Sequence, residues 1–298
     1  MRAAIFDKYG EPEVLTVAQA PDPEPGPGEV VIAVRAASVN PIDWKIRSGM
    51  LADASAPDEP MIIGNDGSGT VVALGDGVTD VAVGDEVFGI GRAGYAELAV
   101  LTTYTRKPGG VDHVAAAAAA TVGETAVRAL GLTGLDTSGR LLIDGGAGGV
   151  GSAAVEIATG RGLEVIATGS PANHDYLRSL GATPIEYGPG LADRVRAIWP
   201  DGPDAVFDVA GKTPAADLIA LVAAPDRVVS IANFAEADTG IQVTGGASDQ
   251  GPAIRQVADL LAAGGLRVPV RTFPLGEVAE AHRLSQDGHV RGKLVLEP

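Results

Sequence analysis

The segment Leu141-Leu142-Ile143-Asp144-Gly145-Gly146-Ala147-Gly148-Gly149-Val150-Gly151 constrains this chain more than any other. It sets Gly146, Gly148 and Gly151 in a G-x-G-x-x-G spacing directly after an apolar run and directly before a helix-forming one. In a strand–turn–helix setting, glycines so spaced let the chain turn tightly, let a pyrophosphate approach the backbone, and let helix and strand pack closely. The amides that open the ensuing helix, from Gly149 and Val150 on, are left to hydrogen-bond phosphate oxygens. A glycine hexad alone describes a flexible turn equally well, and its surroundings decide between the two. Short buried strands at 140–143, 164–168, 183–186, 205–209 and 227–232 alternate with helices at 150–158, 174–180, 191–199 and 215–223. Such alternation builds a parallel sheet covered on both faces.

Outside this region the rhythm differs. The N-terminal third reads as strands at 29–36, 70–74, 86–90 and 95–101, broken by Gly, Pro and Asp and by the irregular connector 21–28, which predicts a partly closed barrel. An alanine-rich helix comes next, from 111 to about 130, with Asp112 as N-cap and Gly131 as C-cap. The tail carries a helix at 250–263 and strands at 268–273 and 293–296, read as a return to the first domain. At about 150 residues per domain, 298 residues make two. The expected architecture is α/β, with a β-barrel domain of residues 1–118 and 250–298 and a doubly wound parallel-sheet domain at 119–249. No internal repeat is visible.

Composition narrows the chemistry. The chain has no cysteine, which excludes disulfides, Cys-ligated zinc, iron–sulfur clusters and thiol catalysis, and its four histidines leave any metal centre to oxygen ligands. A formal charge of −16 repels nucleic-acid phosphates and anionic lipid headgroups over about a Debye length, so both are poor partners. No segment reaches the roughly 18 apolar residues that span a bilayer. The opening residues lack the apolar stretch of roughly 7–15 residues that a secretory signal requires, so a cytoplasmic location is expected. Aromatics are 4% of the chain, leaving Ala, Val, Leu and Ile to build the cores.

An NAD-preferring site carries an Asp or Glu about 20 residues beyond the glycine loop, on the ribose hydroxyls. Here the strand end reads Ala167-Thr168-Gly169-Ser170-Pro171-Ala172-Asn173-His174, with no carboxylate before Asp175. The gap leaves room for a 2′-phosphate, with Ser170, Asn173, His174 and Arg178 as hydrogen-bond donors. NADPH is therefore the expected cofactor, although no Arg or Lys directly succeeds the strand.

Several ordered motifs now resemble the zinc-free quinone oxidoreductase, or zeta-crystallin-like, branch of the medium-chain dehydrogenase/reductase superfamily. They are Ala37-Ser38-Val39-Asn40-Pro41-Ile42-Asp43, Gly64-Asn65-Asp66-Gly67-Ser68-Gly69-Thr70-Val71, Val83-Gly84-Asp85-Glu86-Val87-Phe88-Gly89, Val122-Gly123-Glu124-Thr125-Ala126, the glycine loop, Arg178-Ser179-Leu180-Gly181-Ala182 and Gly292-Lys293-Leu294-Val295-Leu296. The resemblance covers nearly the whole chain and implies a GroES-like catalytic domain, a Rossmann nucleotide domain and an active site in the cleft between them. Zinc-dependent relatives have Cys where this chain has Asn40 and Gly-His-Glu where it has Gly64-Asn65-Asp66, so no metal is expected. Without a Lewis acid, hydride transfer to an already electrophilic acceptor remains, a quinone or an α,β-unsaturated carbonyl.

The resemblance also implies the site residues. Asn40 would donate an amide N–H to a carbonyl, and Lys45, where some relatives have Tyr, would stabilise a developing enolate or hydroquinone anion. Thr125, Gly146, Gly148, Gly149, Val150, Gly151, Ser170, Asn173, Tyr187, the backbone around Ile231 and Asn233, and Lys293 would hold the cofactor. Plain structural alternatives stand beside these: Asn40 as a turn residue before Pro41, Lys45 as a solvated charge, Thr125 as a helix-surface hydroxyl and Tyr187 as a core aromatic. Asp43 and Asp66 are expected to fix turns through backbone amides, and His113, His282 and His289 to be surface or helix-end residues. Val228-Val229-Ser230-Ile231, read as the last strand of the nucleotide sheet, is an apolar edge and predicts a homodimer. Two other functions fit the same residues, an enoyl-thioester or biosynthetic-intermediate reductase and a dinucleotide-binding sensor without turnover.

Overall fold

Apolar stretches rich in Val, Ile and Leu, cut by glycine turns, form strands in both halves of the chain, and the connection leaving each strand, tight turn or helix, decides which sheet it joins. The computed structural model describes residues 1–52, 56–288 and 290–298. It has two compact units, one made of Met1–Thr121, Ile254–Gly264 and Val268–Pro298, the other of Val122–Ala253 and Gly265–Arg267.

In the first unit, hairpin-like connections give antiparallel pairing, except that Val270–Pro274 and Lys293–Glu297, which a helical segment connects, pair parallel. A six-stranded sheet runs in the order Val270–Pro274, Lys293–Glu297, Val30–Val39, Asp66–Leu74, Glu86–Arg92 and Leu98–Arg106. Val30–Val39 also pairs with Leu98–Arg106, which closes the last four strands on themselves as a partly closed barrel. Register shifts at Val31/Ile32 and Val34/Ala36 bend this ten-residue strand so that it serves both neighbours. A three-stranded sheet of Thr16–Gln19, Arg2–Phe6 and Met61–Ile62 stands beside it. Phe6, Ile32, Val39, Tyr95, Leu101, Phe273 and Leu296 form the core between the layers.

In the second unit, helical crossovers force parallel pairing. The sheet order is Thr183–Ile185, Glu164–Thr168, Arg140–Asp144, Ala205–Asp208, Val228–Ser230 and Gln242–Val243, every neighbouring pair parallel. Strand order runs outward from Arg140–Asp144 in one direction and then reverses, so the switch point lies between Arg140–Asp144 and Ala205–Asp208. Ligands of such sheets bind beyond the carboxyl ends of the strands at that point.

The structure corrects three expectations and adds one element. Val228–Ser230 is not an edge strand, because Gln242–Val243 pairs along its outer side. Two residues of strand are too short to show a period in sequence. The alanine-rich helix runs His113–Leu132, straight through Gly131, and the left-handed glycine beyond it is Gly134 at φ 72°. Asp112 does cap its start, accepting the Ala115 N–H at 2.7 Å. The added element is a helix at Val278–Asp287, and it carries His282 fully buried inside it rather than at a surface or a helix end. His113 does begin its helix, with Nδ1 2.8 Å from the Ser68 hydroxyl. His289 lies outside the described residues. Among the described residues no helix is long and apolar enough to cross a membrane.

Candidate functional site

In the second unit the glycine loop leaves the carboxyl end of Arg140–Asp144 at the switch point and enters the helix Gly149–Gly160. Thr168, at the end of the adjacent strand, fixes the loop from both sides. Its hydroxyl accepts the Gly145 N–H at 2.8 Å and donates to Asp144 Oδ1 at 2.6 Å, while its carbonyl accepts the Gly146 N–H at 2.9 Å. Asp144 Oδ2 accepts the Thr213 hydroxyl at 2.6 Å, so both oxygens of this buried carboxylate are engaged.

The loop has the form of a cradle. A Cβ on Gly151 would lie 2.0 Å from the Gly145 carbonyl oxygen, so helix and loop touch there without room for any side chain. A Cβ on Gly148 would meet nothing within 4 Å, leaving that face of the backbone open. The first intrahelical bond runs from the Ser152 N–H to the Gly148 carbonyl at 2.8 Å, so Gly149, Val150 and Gly151 present amides with no acceptor inside the helix. An open glycine face beside unspent amides at a twelve-residue helix N-terminus fits a dinucleotide pyrophosphate.

At the ribose end, Asn173 Nδ2 donates to Ser170 Oγ at 3.2 Å, and His174 Nε2 lies 3.3 Å from the Gly169 carbonyl. Both Ser170 and Asn173 are half-buried, whereas Arg178 points outward and pairs with Asp175 at 2.6 Å. Tyr187 is 57% exposed, which overturns its reading as a core aromatic. The turn after Val228–Ser230 is held by Ser230 Oγ, which accepts the Ala232 and Asn233 N–H groups and donates to Asp208 Oδ2 at 2.7 Å. Ile231 donates its N–H to the Asp208 carbonyl at 3.1 Å. Asp208 faces Asp144 in register across the switch point. Burial, with the neighbouring Asp144 charge behind it, holds the Asp208 carboxyl above the usual range. Thr125 is buried in its helix rather than on the surface, and its hydroxyl donates to Glu124 Oε2 at 3.3 Å. Glu124 pairs in turn with Arg128 at 2.8 Å.

The first unit gathers a buried polar group that the sequence shows only in part. Asn40 is the N-cap of the helix Pro41–Arg47, and Asp43 Oδ2 accepts its backbone N–H at 2.7 Å. The Asn40 side chain is engaged at both ends. Its Oδ1 accepts the Lys293 ammonium at 2.7 Å, and its Nδ2 donates to Asp66 Oδ2 at 3.2 Å and to the Ser38 carbonyl at 3.4 Å. Lys293 also donates to the Val39 carbonyl at 2.8 Å. Asp43 accepts the Asn40 N–H and so fixes the turn into the helix as expected, whereas Asp66 accepts the Ser38 and Thr121 N–H groups and ties a strand to a helix instead of fixing a turn.

Tyr95, which the sequence shows only as a strand residue, donates to Asp43 Oδ2 at 2.5 Å. Burial drives the Asp43 carboxyl up to about 7, against the Tyr95 and Asn40 bonds that favour its charged form. Burial also lowers the Lys293 ammonium, opposed by the Asp66 and Asp43 charges. Lys45 is half-buried on Pro41–Arg47 with its ammonium 5.8 Å from the Trp44 ring, and among the described residues it makes no ion pair. No group of three or more His, Cys, Asp or Glu that would hold a metal ion occurs among the described residues.

Comparison with known proteins places these features. The alcohol dehydrogenase GroES-like domain matches residues 26–127, and the zinc-binding dehydrogenase family matches residues 180–296. A quinone oxidoreductase of Pseudomonas aeruginosa is 32% identical over 323 residues, covering 98% of this chain and 98% of that protein. An NADPH-dependent alkenal/one oxidoreductase of Arabidopsis thaliana chloroplasts is 29% identical over 317 residues, covering 100% of this chain and 80% of that protein. Among solved structures, a mycobacterial protein in complex with NADPH aligns with a TM-score of 0.86 at 26% identity, covering 100% of both chains.

Proposed function

The chain belongs to the medium-chain dehydrogenase/reductase superfamily, among its quinone oxidoreductases, and on that premise we propose that it reduces a small quinone or α,β-unsaturated carbonyl with NADPH and without a metal. The observation that carries the reading is the cradle, where Gly148 leaves the backbone open beside the unspent amides of Gly149, Val150 and Gly151 while Gly151 seals the helix onto the loop. NADPH, when bound, supplies the hydride. The chain's own residues bind and orient. The helix N-terminus takes the pyrophosphate charge, and Ser170 and Asn173, with no carboxylate between Thr168 and Asp175, take a 2′-phosphate. Tyr187 and the Ile231–Asn233 backbone complete the cofactor contacts, with Thr125 beside them.

On the first unit, Lys45 stabilises the oxyanion that forms on the acceptor, and Asn40, held by Lys293 and Asp66, presents its side of the site. The same proposal includes a cytoplasmic homodimer, with Gln242–Val243 in place of Val228–Ser230 as the open edge of the sheet. The deciding experiment is steady-state NADPH oxidation with small quinones, enones and enoyl thioesters, with and without a strong chelator. Turnover of quinones or enones that survives chelation is expected. NADPH binding with no turnover of any acceptor would leave a sensor, and turnover of enoyl thioesters alone would move the substrate class.

A further inference from the structure

The glycine loop occupies the carboxyl end of the parallel sheet, and the opposite end of the same strand carries a second concavity. Arg140 opens the strand that Asp144 closes, so at about 3.3 Å per residue the two ends stand roughly 13 Å apart. The cleft at the Arg140 end has a volume of about 660 Å³, within the range of roughly 300–1,000 Å³ of small-molecule sites.

Three guanidinium groups line it, from Arg140, Arg196 and Arg227. Arg196 Nη2 donates to the Ala220 carbonyl at 2.8 Å and Arg227 Nη1 to the Thr133 carbonyl at 3.3 Å, each spending one of five N–H groups. The Arg140 guanidinium has no partner among the described residues. Asp201 and Asp204 also line the cleft and form no ion pair with the three. Asp204 is spent on the Arg140 backbone N–H at 2.8 Å, and the Asp201 carboxylate has no partner among the described residues. In a chain of net charge −16, three guanidiniums gathered against two carboxylates, none of them ion-paired among the described residues, leave this cleft with a local excess of positive charge.

We propose that this cleft is a second ligand site, for a nucleoside phosphate. Guanidinium forks match phosphate oxygens two at a time, which accounts for the three arginines. A free carboxylate is the group that accepts ribose hydroxyls, which accounts for Asp201. Half-buried Leu135, with the buried Pro203 and Leu221 behind the surface, supplies an apolar contact for a base. None of these residues belongs to the NADPH-binding or oxyanion-stabilising groups, so the site is independent of the hydride chemistry.

The test is calorimetric titration of the full chain with ADP, pyrophosphate and adenosine while NADPH is held at saturation, so that the glycine loop is filled. ADP should bind once per chain, more tightly than pyrophosphate, with adenosine undetected at millimolar concentration. Because the Arg140 guanidinium supports nothing in the fold, Arg140→Gln should keep the melting temperature and the NADPH affinity while weakening ADP by about tenfold or more, the loss expected of charge-assisted bonds. Arg227→Gln should weaken ADP similarly. Absence of ADP binding at NADPH saturation, or ADP affinity unchanged in Arg140→Gln, overturns the proposal. Pyrophosphate binding as tight as ADP overturns its nucleoside part.

Discussion

Replacing Gly151 by alanine separates packing from binding in the glycine loop. The new Cβ would sit 2.0 Å from the Gly145 carbonyl oxygen, 2.8 Å from Gly146 Cα and 2.9 Å from the Gly145 carbonyl carbon. All three are backbone atoms, so no side chain can swing aside and the loop itself must move by about 1.4 Å to reach ordinary contact at roughly 3.4 Å. Overpacking of this kind costs about 1–3 kcal/mol, or about 2–12 °C of melting temperature at 2–4 °C per kcal/mol. A displaced loop also misaims the amides of Gly149 and Val150, and each charge-assisted bond lost is worth about 1.5–3 kcal/mol. NADPH affinity should therefore fall by about ten- to a hundredfold. Gly148→Ala is the companion, because a Cβ there meets nothing within 4 Å and the backbone φ of −77° suits alanine. It should leave the melting temperature unchanged and still weaken NADPH, since the methyl occupies the face the pyrophosphate needs. Circular-dichroism melts and a fluorescence titration with NADPH read both quantities. If Gly151→Ala binds NADPH as the parent does, or if Gly148→Ala does, the cradle is not where the pyrophosphate lies.

Four further outcomes are expected. NADPH should exceed NADH in kcat/KM, and Ser170→Asp, which puts a carboxylate at the ribose end, should reverse the order; equal values for the parent would refute the 2′-phosphate reading. Lys45→Ala should lower kcat/KM for quinones by about tenfold, the cost of roughly 1.4 kcal/mol of transition-state stabilisation, with NADPH affinity intact. Asn40→Ala should lower activity about ten- to a hundredfold and also destabilise the fold by about 1–3 kcal/mol, since it strips Lys293 of an acceptor; full activity in both variants would remove the first unit's residues from the proposal. Asp43, raised to about 7, holds a proton in the folded chain that the unfolded chain releases near its ordinary value of 3.8. Stability should therefore decline as pH rises from about 4 to about 7 and level off above it, and Asp43→Asn should flatten that slope in urea titrations across pH.

The glycine loop was legible in sequence because its chemistry is local. Its spacing, its strand and its helix lie within one contiguous stretch, and Gly151 touches residues only a few positions away. Long-range polar packing left no such trace. Tyr95 and Asp43 are 52 positions apart, and Lys293 and Asn40 are 253 apart, yet each pair is joined by a buried hydrogen bond. Neither pairing has a period or a spacing to announce it, so Lys293 reads in sequence as a cofactor-holding residue and not as the partner of Asn40. His282 shows the converse. A lone histidine in a charged stretch reads as surface, and only the placement of Val278 and Ala281 on the same helical face carries it inside.

The buried group around Asn40 bears on why this chain would work without a metal. The positions where zinc-dependent relatives place their ligands are here Asn40 and Asn65-Asp66, and two of these side chains are already satisfied by the protein. Lys293 supplies the positive charge, donating to Asn40 Oδ1, while Asp66 balances it and accepts from Ser38, Asn40 and Thr121. A divalent cation entering here would have to displace an ammonium that is buried with it and break hydrogen bonds that a carboxylate in a dry interior depends on. Zinc itself favours thiolate and imidazole, and none is offered by Asn40 or Asp66. Lys293 thus occupies the position beside Asn40 with hydrogen-bond donors of its own. It orients rather than polarises, because it is spent on Asn40 and the Val39 carbonyl. Such a site suits acceptors that are electrophilic on their own, quinones and enones, over alcohols or simple ketones that need a metal to activate them.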